Sequence, residues 1–277
     1  MAAAMFLGEQ RRSELAQLVC APHATESFTI RSVGGSAALG TLPCGTPPDV
    51  VEAARRARTA QHAWAAMPAY FRLASLRRFP ILLDSHRGMV TSVLRGESGL
   101  SPQAAYDRVF ELVRACQRVT DTGLKSLRPV KHRRLLRVTA VEHRDPLGLI
   151  GIVPSPVTGF DPVLAVAALL AGNALLFVPE GPGSYGALLL AQFCAAARLP
   201  GDLVQVVPGP TGLADAAIGQ VDHLVTTLAN DRGQQVWRLA AERGIAPMES
   251  VWQRVPVVGR HGHEVVRGRH VVAQAVG

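Results

Sequence analysis

Residues 145–179 read DPLGLIGIVPSPVTGFDPVLAVAALLAGNALLFVP, and no other stretch limits the possible folds so sharply. Residues 149–153 form a short apolar run that stops at Pro154 and Pro156. An alanine-rich apolar segment, 163–171, then ends at Gly172-Asn173 before a second apolar run, 174–178. Gly and Asn accept the left-handed conformation that ends helices, and proline continues neither helix nor strand. The order is therefore strand, loop, buried helix, tight turn, strand, which is a βαβ unit of a parallel sheet. The competing fold is a membrane span, because 163–178 carries no charge. A span needs about 20 apolar residues, and Gly172-Asn173 divides this run before it reaches that length. No membrane partner is expected.

The chain after Pro179 continues the same rhythm. Residues 187–198 read as a helix, and Leu199-Pro200-Gly201-Asp202 turns into a strand at 203–207, as in a doubly wound sheet. Pro208-Gly209-Pro210-Thr211-Gly212 leads to a helix at 214–218, a strand at 223–227 and a helix near 234–243. Upstream, Thr46-Pro47-Pro48-Asp49 opens a helix ending near Trp64, since proline suits a first turn and a carboxylate suits the positive helix end. Two more helices are expected at 69–86, broken by Pro80, and at 104–120. Their apolar stripes need a partner surface and supply walls for the sheet. Residues 135–141 mix β-branched and polar side chains as a half-exposed strand does. Residues 1–36 carry little signal beyond a weak strand at 28–30 and a Gly/Ser-rich turn at 32–36, and a second weak strand follows at 38–42.

Composition decides between classes of partner. Hydrophobic content of 48% with 18% charged residues excludes general disorder. The net charge of +8 permits anionic partners, yet only Lys131-His132-Arg133-Arg134 form a tight basic group. Aromatic residues, at 5%, provide too few stacking platforms for a nucleic-acid reader, so no nucleic-acid partner is expected. Cys20, Cys44, Cys116 and Cys194 stand far apart with no CxxC pair. The opening MAAAMFLGEQRR also reverses the basic-then-apolar order of a secretory leader. Reduced thiols in the cytoplasm are the expectation. His261, His263, Glu264 and His270 match no zinc-finger or metalloprotease spacing, so no metal site is assigned.

The order Asp-Pro-x-Gly-x-x-Gly at 145–151, a proline-containing loop, an alanine-rich helix and Ala-Gly-Asn-Ala-Leu-Leu-Phe-x-Pro at 171–179 resembles the cofactor-binding domain of the NAD(P)-dependent aldehyde dehydrogenases. The likeness extends from about residue 38 to 237, and the Arg-rich approach at 129–134 is most similar to the succinate-semialdehyde dehydrogenase branch. The resemblance implies an α/β fold with a Rossmann-like doubly wound parallel sheet, N-terminal helices and part of an oligomerisation arm, the catalytic domain being absent. It divides the chain into an N-terminal segment at 1–45, a cofactor-binding domain at 46–246 with an arm strand near 129–144, and a divergent tail at 247–277. It implies NAD or NADP as cofactor. It also makes 137–143 a candidate contact in a homo-oligomer, or in a hetero-oligomer with an intact dehydrogenase subunit.

The family's reaction needs a thiolate that attacks the aldehyde, an oxyanion hole, a nicotinamide that accepts hydride and a carboxylate that activates water. Where the resemblance expects a Pro-Trp-Asn loop with its oxyanion asparagine, the chain reads Pro154-Ser155-Pro156-Val157-Thr158. Thr158 is the remaining donor there, and losing a preorganised donor costs about 10²-fold in rate. Where a ribose-binding Lys-Pro and a nearby acid are expected, the chain reads Val178-Pro179-Glu180, with Glu180 displaced by one residue. The pyrophosphate face keeps Gly209, Gly212 and Gly233 but has Asp215 in place of a loop glycine and Thr227-Leu228-Ala229 in place of Thr-Gly-Ser. A carboxylate and a bulky side chain there obstruct a phosphate. Glu249 falls within one residue of the water-activating glutamate, and the nucleophilic cysteine is expected later than Gly277. Glu97-Ser98-Gly99 is similar to a helix end whose glutamate is structural. The expectation is a family member, of the semialdehyde type, that as written does not complete oxidation of an aldehyde to the acid. The alternative is a non-catalytic pseudoenzyme or interaction module that binds an intact dehydrogenase subunit.

Overall fold

The computed structural model describes residues 6–33, 37–134, 137–156, 158–245 and 252–258, and for 130–134, 137–142 and 252–258 it describes the backbone alone. Helix α1 (Glu9–Ala16) and an antiparallel hairpin of β1 (Ser27–Arg31) and β2 (Ala38–Pro43) lead into five helices. These are α2 (Pro47–Ala66), α3 (Ala69–Leu76), α4 (Arg78–Ser85), α5 (Arg87–Ser98) and α6 (Pro102–Ser126). The strands β3 (Val130–Arg134) and β4 (Arg137–Pro146) follow, and then the alternating half: β5 (Leu149–Val153), α7 (Pro162–Ala171), β6 (Ala174–Phe177), α8 (Ser184–Ala196), β7 (Val204–Val206), α9 (Ala214–Ile218), β8 (His223–Thr226) and α10 (Asp231–Glu242). A last strand, β9, spans Trp252–Val258.

The helix starts are set by local chemistry. At α2 the Thr46 amide and hydroxyl both donate to Asp49 Oδ2, at 2.9 and 2.6 Å, while the His23 amide donates to Asp49 Oδ1 at 2.8 Å. Asp161 caps α7 by accepting from the amides of Val163 and Leu164, at 3.1 and 3.0 Å, and Gly172 ends it at φ +101°. The interruption expected at Pro80 falls instead at Arg77, and Pro80 sits in the first turn of α4, where its missing N–H breaks no intrahelical bond.

The central sheet is parallel, in the order β7-β6-β5-β8. Its strands are apolar runs, and every residue of β5, β6 and β7 is buried, as a sheet covered on both faces requires. Right-handed crossovers put α7 and α8 on one face and α9 on the other. α2 packs along β5, β6 and β7 and meets α9, while α3 to α6 lie against α7 and α8. The last turn of α7 is tied to α2 and α3 from outside: Gln61 Nε2 donates to Gly172 O at 3.0 Å, Trp64 Nε1 to Leu169 O at 2.7 Å and Arg72 Nε to Leu170 O at 2.9 Å. The donors from Gln61 and Arg72 serve carbonyls beyond the last intrahelical bonds, while Leu169 O also accepts from the Gly172 amide at 3.0 Å.

A second, antiparallel sheet has the order β3-β4-β9. β4 is its centre: within the candidate subunit contact at 137–143, residues 137–142 lie along β3 and residues 140–143 along β9. Among the described residues, no helix is long and apolar enough to cross a membrane.

Candidate functional site

Strand order reverses between β5, whose crossovers run towards β7, and β8, which lies on its other side. Crevices at such switch points, beyond the carboxyl ends of the strands, are where open parallel sheets bind ligands. Four loops meet there, following β5, β6, β7 and β8.

The β5 loop carries Thr158. The Ser155 amide donates to Thr158 Oγ1 at 3.1 Å and to Thr227 Oγ1 at 2.9 Å, and the Ser155 and Thr158 hydroxyls stand 2.9 Å apart. The hydroxyls of Thr158 and Thr227 are themselves in contact. Thr158 is therefore placed at the crevice, but its hydroxyl belongs to a cluster that ties the β5 loop to the end of β8.

The β6 loop carries Val178, Pro179 and Glu180. Val178 is buried in the core, and its amide donates to Ile152 O at 2.9 Å, so this position offers the crevice no donor. Pro179 O accepts from the Gly209 amide at 3.1 Å, which fastens the β6 loop to the β7 loop. Glu180 is the most engaged residue of the site. Its Oε1 accepts from the amides of Gly212 and Ala214, at 2.8 and 3.1 Å, and both carboxylate oxygens take the guanidinium of Arg232, at 2.8 and 2.6 Å. Arg232 also donates to Asp215 Oδ1 at 2.7 Å. The Glu180 side chain is only 5% exposed and that of Arg232 12%. The Glu180 carboxylate holds the Arg232 guanidinium more firmly protonated than usual, against the opposing effect of burial.

The glycines of the site have identifiable neighbours. A Cβ on Gly209 would lie 2.3 Å from Leu213 Cδ2, and Gly212 has φ +103°. A Cβ on Gly233 would come within 2.0 Å of Leu228 O, and the Gly233 amide is already used by Asn230 Oδ1 at 3.1 Å. Glycine here serves close packing of α10 on its own loop. Glu249 lies outside the described residues, as do His261, His263, Glu264 and His270. Among the described residues, no cluster of three potential metal ligands occurs.

Cys20 and Cys194 line a cavity of about 260 Å³ beside the start of β7, together with Arg56, Asp202 and Gln205. Burial pushes the Cys20 thiol up, although Arg56 opposes this, and pushes Cys116 and Cys194 up to about 12. Buried, protonated thiols are not nucleophiles.

Glu97 is almost fully buried and accepts from the amides of Gly183, Tyr185 and Gly186, at 3.0, 2.8 and 2.9 Å, so it caps α8. The sequence placed it correctly as a structural glutamate. Arg232 was missed, because nothing local tells an exposed helical arginine from one that reaches a carboxylate 52 positions earlier.

The dinucleotide that the resemblance implies needs a free carboxylate or hydroxyl for the ribose, and unhindered amides or cations for the pyrophosphate. Glu180 is paired, the Gly212 and Ala214 amides face Glu180, and the Gly233 amide faces Asn230. As they stand, these residues do not fit the group.

A model of the aldehyde dehydrogenase family matches residues 22–249. A protein of Mycolicibacterium smegmatis, provisionally named as an NADP-dependent succinate-semialdehyde dehydrogenase, is 31% identical over 80% of this chain and 45% of its own length. Solved structures share the fold. A benzaldehyde dehydrogenase from Corynebacterium glutamicum has a TM-score of 0.70 at 20% identity, covering 80% of this chain and 50% of that one. A methylmalonate-semialdehyde dehydrogenase from Oceanimonas doudoroffii has 0.72 at 21%, covering 82% and 48%. The chain spans about half the length of the curated relatives it matches.

Proposed function

The chain belongs to the aldehyde dehydrogenase family, and from that premise we propose that it is a semialdehyde-type member whose own cofactor crevice is filled by its side chains, so that it does not by itself complete NAD(P)-dependent oxidation. The observation that carries this reading is the Glu180–Arg232–Asp215 network, which turns the acid nearest the ribose position inwards and covers the amides of the β7 loop. Three further features support it. Val178 gives the crevice no cation, the Thr158 hydroxyl is committed to Ser155 and Thr227, and the thiols of Cys20, Cys116 and Cys194 are buried. The semialdehyde assignment rests on the relatives' names alone.

The test is turnover. Purified chain given succinate semialdehyde with NAD or NADP should form no reduced nicotinamide above the enzyme-free rate. Steady, protein-dependent formation would overturn the proposal.

A second reading is favoured by the second sheet, which stands apart from the crevice chemistry: a non-catalytic module that associates with an intact dehydrogenase subunit. Copurification of such a subunit in fixed stoichiometry with the full chain would support it.

A further inference from the structure

The cavity beside β7 lies on the outer strand of the central sheet, at the opposite edge from β8, and the crevice chemistry does not use it. The Val207 amide donates to Phe177 O at 2.9 Å, so residues 205 and 207 turn their main-chain groups towards β6. The N–H and C=O of Val204 and Val206 therefore point away from the sheet. Among the described residues, the one main-chain bond on that side runs from the Cys20 amide to Val206 O, at 2.9 Å. Val204 lines the cavity, which leaves its N–H and C=O at the cavity wall. Main-chain groups on a buried edge call for a partner.

One cation and one anion stand at the mouth. Arg56, reaching over from α2, donates through Nη2 to Asp202 Oδ1 at 2.5 Å and through Nη1 to Cys20 Sγ at 3.8 Å. Gln205, only 5% exposed, donates through Nε2 to the same Asp202 oxygen at 3.3 Å. Both bonds end on Oδ1, so among the described residues Asp202 Oδ2 has no partner, and the pair need not open to receive a ligand. An anion on Arg56 would bring its charge against Asp202, and a cation on Asp202 would bring its charge against Arg56. A zwitterion satisfies both groups and adds no net charge. At about 260 Å³ the cavity falls below the roughly 300–1,000 Å³ of drug-sized sites, so the ligand is small.

We propose that this cavity is a binding site for a free α-amino acid with an apolar side chain. The ammonium group donates to Asp202 Oδ2 and the Val204 carbonyl, and the carboxylate accepts from Arg56 and the Val204 amide. The side chain lies against the apolar wall made by Leu18, Ala191 and Ala195.

The experiment is isothermal titration calorimetry of the full chain with each standard amino acid, and with the N-acetyl and amide forms of whichever binds best. An amino acid with an apolar side chain should bind saturably, and each blocked form, lacking one charge, should bind at least about tenfold more weakly. Arg56→Gln and Asp202→Asn should each weaken binding by a similar factor while leaving the fold intact, because an exposed ion pair contributes little to stability. Hydrogen exchange should slow at 203–207 when the amino acid binds. No saturable binding by any of them up to millimolar concentration would overturn the proposal. So would equal binding of a blocked form, because one charge would then suffice, or unchanged affinity in both variants. The crevice reading survives or falls separately, since these measurements report on the edge of β7 and need no nicotinamide cofactor.

Discussion

At the scale of single residues, two buried carboxylates decide most of the behaviour. Burial raises Glu97 from 4.5 to about 7, against the opposing pull of the Tyr185, Gly186 and Gly183 amides. The folded protein thus holds this proton more tightly than the unfolded chain does. Its contribution to stability is full below the ordinary carboxylate value and is lost as pH rises through about 7. The melting temperature should fall as pH rises from about 4.5 to about 7, and Glu97→Gln should flatten that part of the profile; an unchanged slope would remove Glu97 as its source. Glu180 acts through its partner. Arg232→Ala leaves Glu180 and Asp215 without their cation, and breaking such a buried pair costs about 3–5 kcal/mol. Chemical denaturation should show a loss of that order, and a loss below about 0.5 kcal/mol, the ordinary range for a surface substitution, would mean that the pair contributes little. Gly233→Ala should also destabilise, because its Cβ would meet a backbone carbonyl and not a flexible side-chain end.

At the scale of elements, the stretch from β5 to β6 was legible because each boundary has a chemical cause within a few residues. Pro154 ends the strand, Asp161 starts α7, and Gly172 with Asn173 ends it; Asn173 Oδ1 also accepts from the Leu147 and Gly148 amides, at 2.6 and 3.1 Å. Only the end of α5, at Glu97-Ser98-Gly99, was read, by resemblance; its body went unread because Gly88 and Gly96 lower its helical signal. The reason for Gly96 is tertiary: a Cβ there would lie 2.2 Å from the Phe6 ring, a residue ninety positions away. α1 buries only Leu15 and has no apolar stripe to read. β9 was missed because pairing with β4 is long-range, and only the absence of a helical stripe in the tail pointed towards it. At the crevice, the resemblance pointed to Thr158, Pro179, Glu180, Gly209, Gly212 and Gly233 as candidates, but nothing local showed that Glu180 turns inwards to Arg232. The α2–α7 tie gives an element-scale prediction: Trp64→Phe keeps an aromatic ring but removes the 2.7 Å bond to Leu169 O and should cost about 0.5–1.5 kcal/mol for the bond. Equal stability of this variant by denaturant melts would show that the bond adds little to the Gly172 amide that already donates to Leu169 O.

At the scale of the whole molecule, a parallel sheet sandwiched by helices carries a crevice whose loops are fastened to one another. Ser155 and Thr227 join β5 to β8, Pro179 and Gly209 join β6 to β7, and Glu180 with Arg232 joins β6 to α10. A nucleotide entering this space must displace bonds already made, which is why family membership and cofactor binding part company in the proposed reading. The most direct measurement is a titration of the full chain with NAD and with NADP, followed by tryptophan fluorescence. Trp237 lies on α10, the helix that carries Arg232, and so serves as a local probe. The account predicts no saturable change up to millimolar cofactor. Saturation at micromolar concentration would contradict it, because the Glu180–Arg232–Asp215 network would then have to open readily for the dinucleotide.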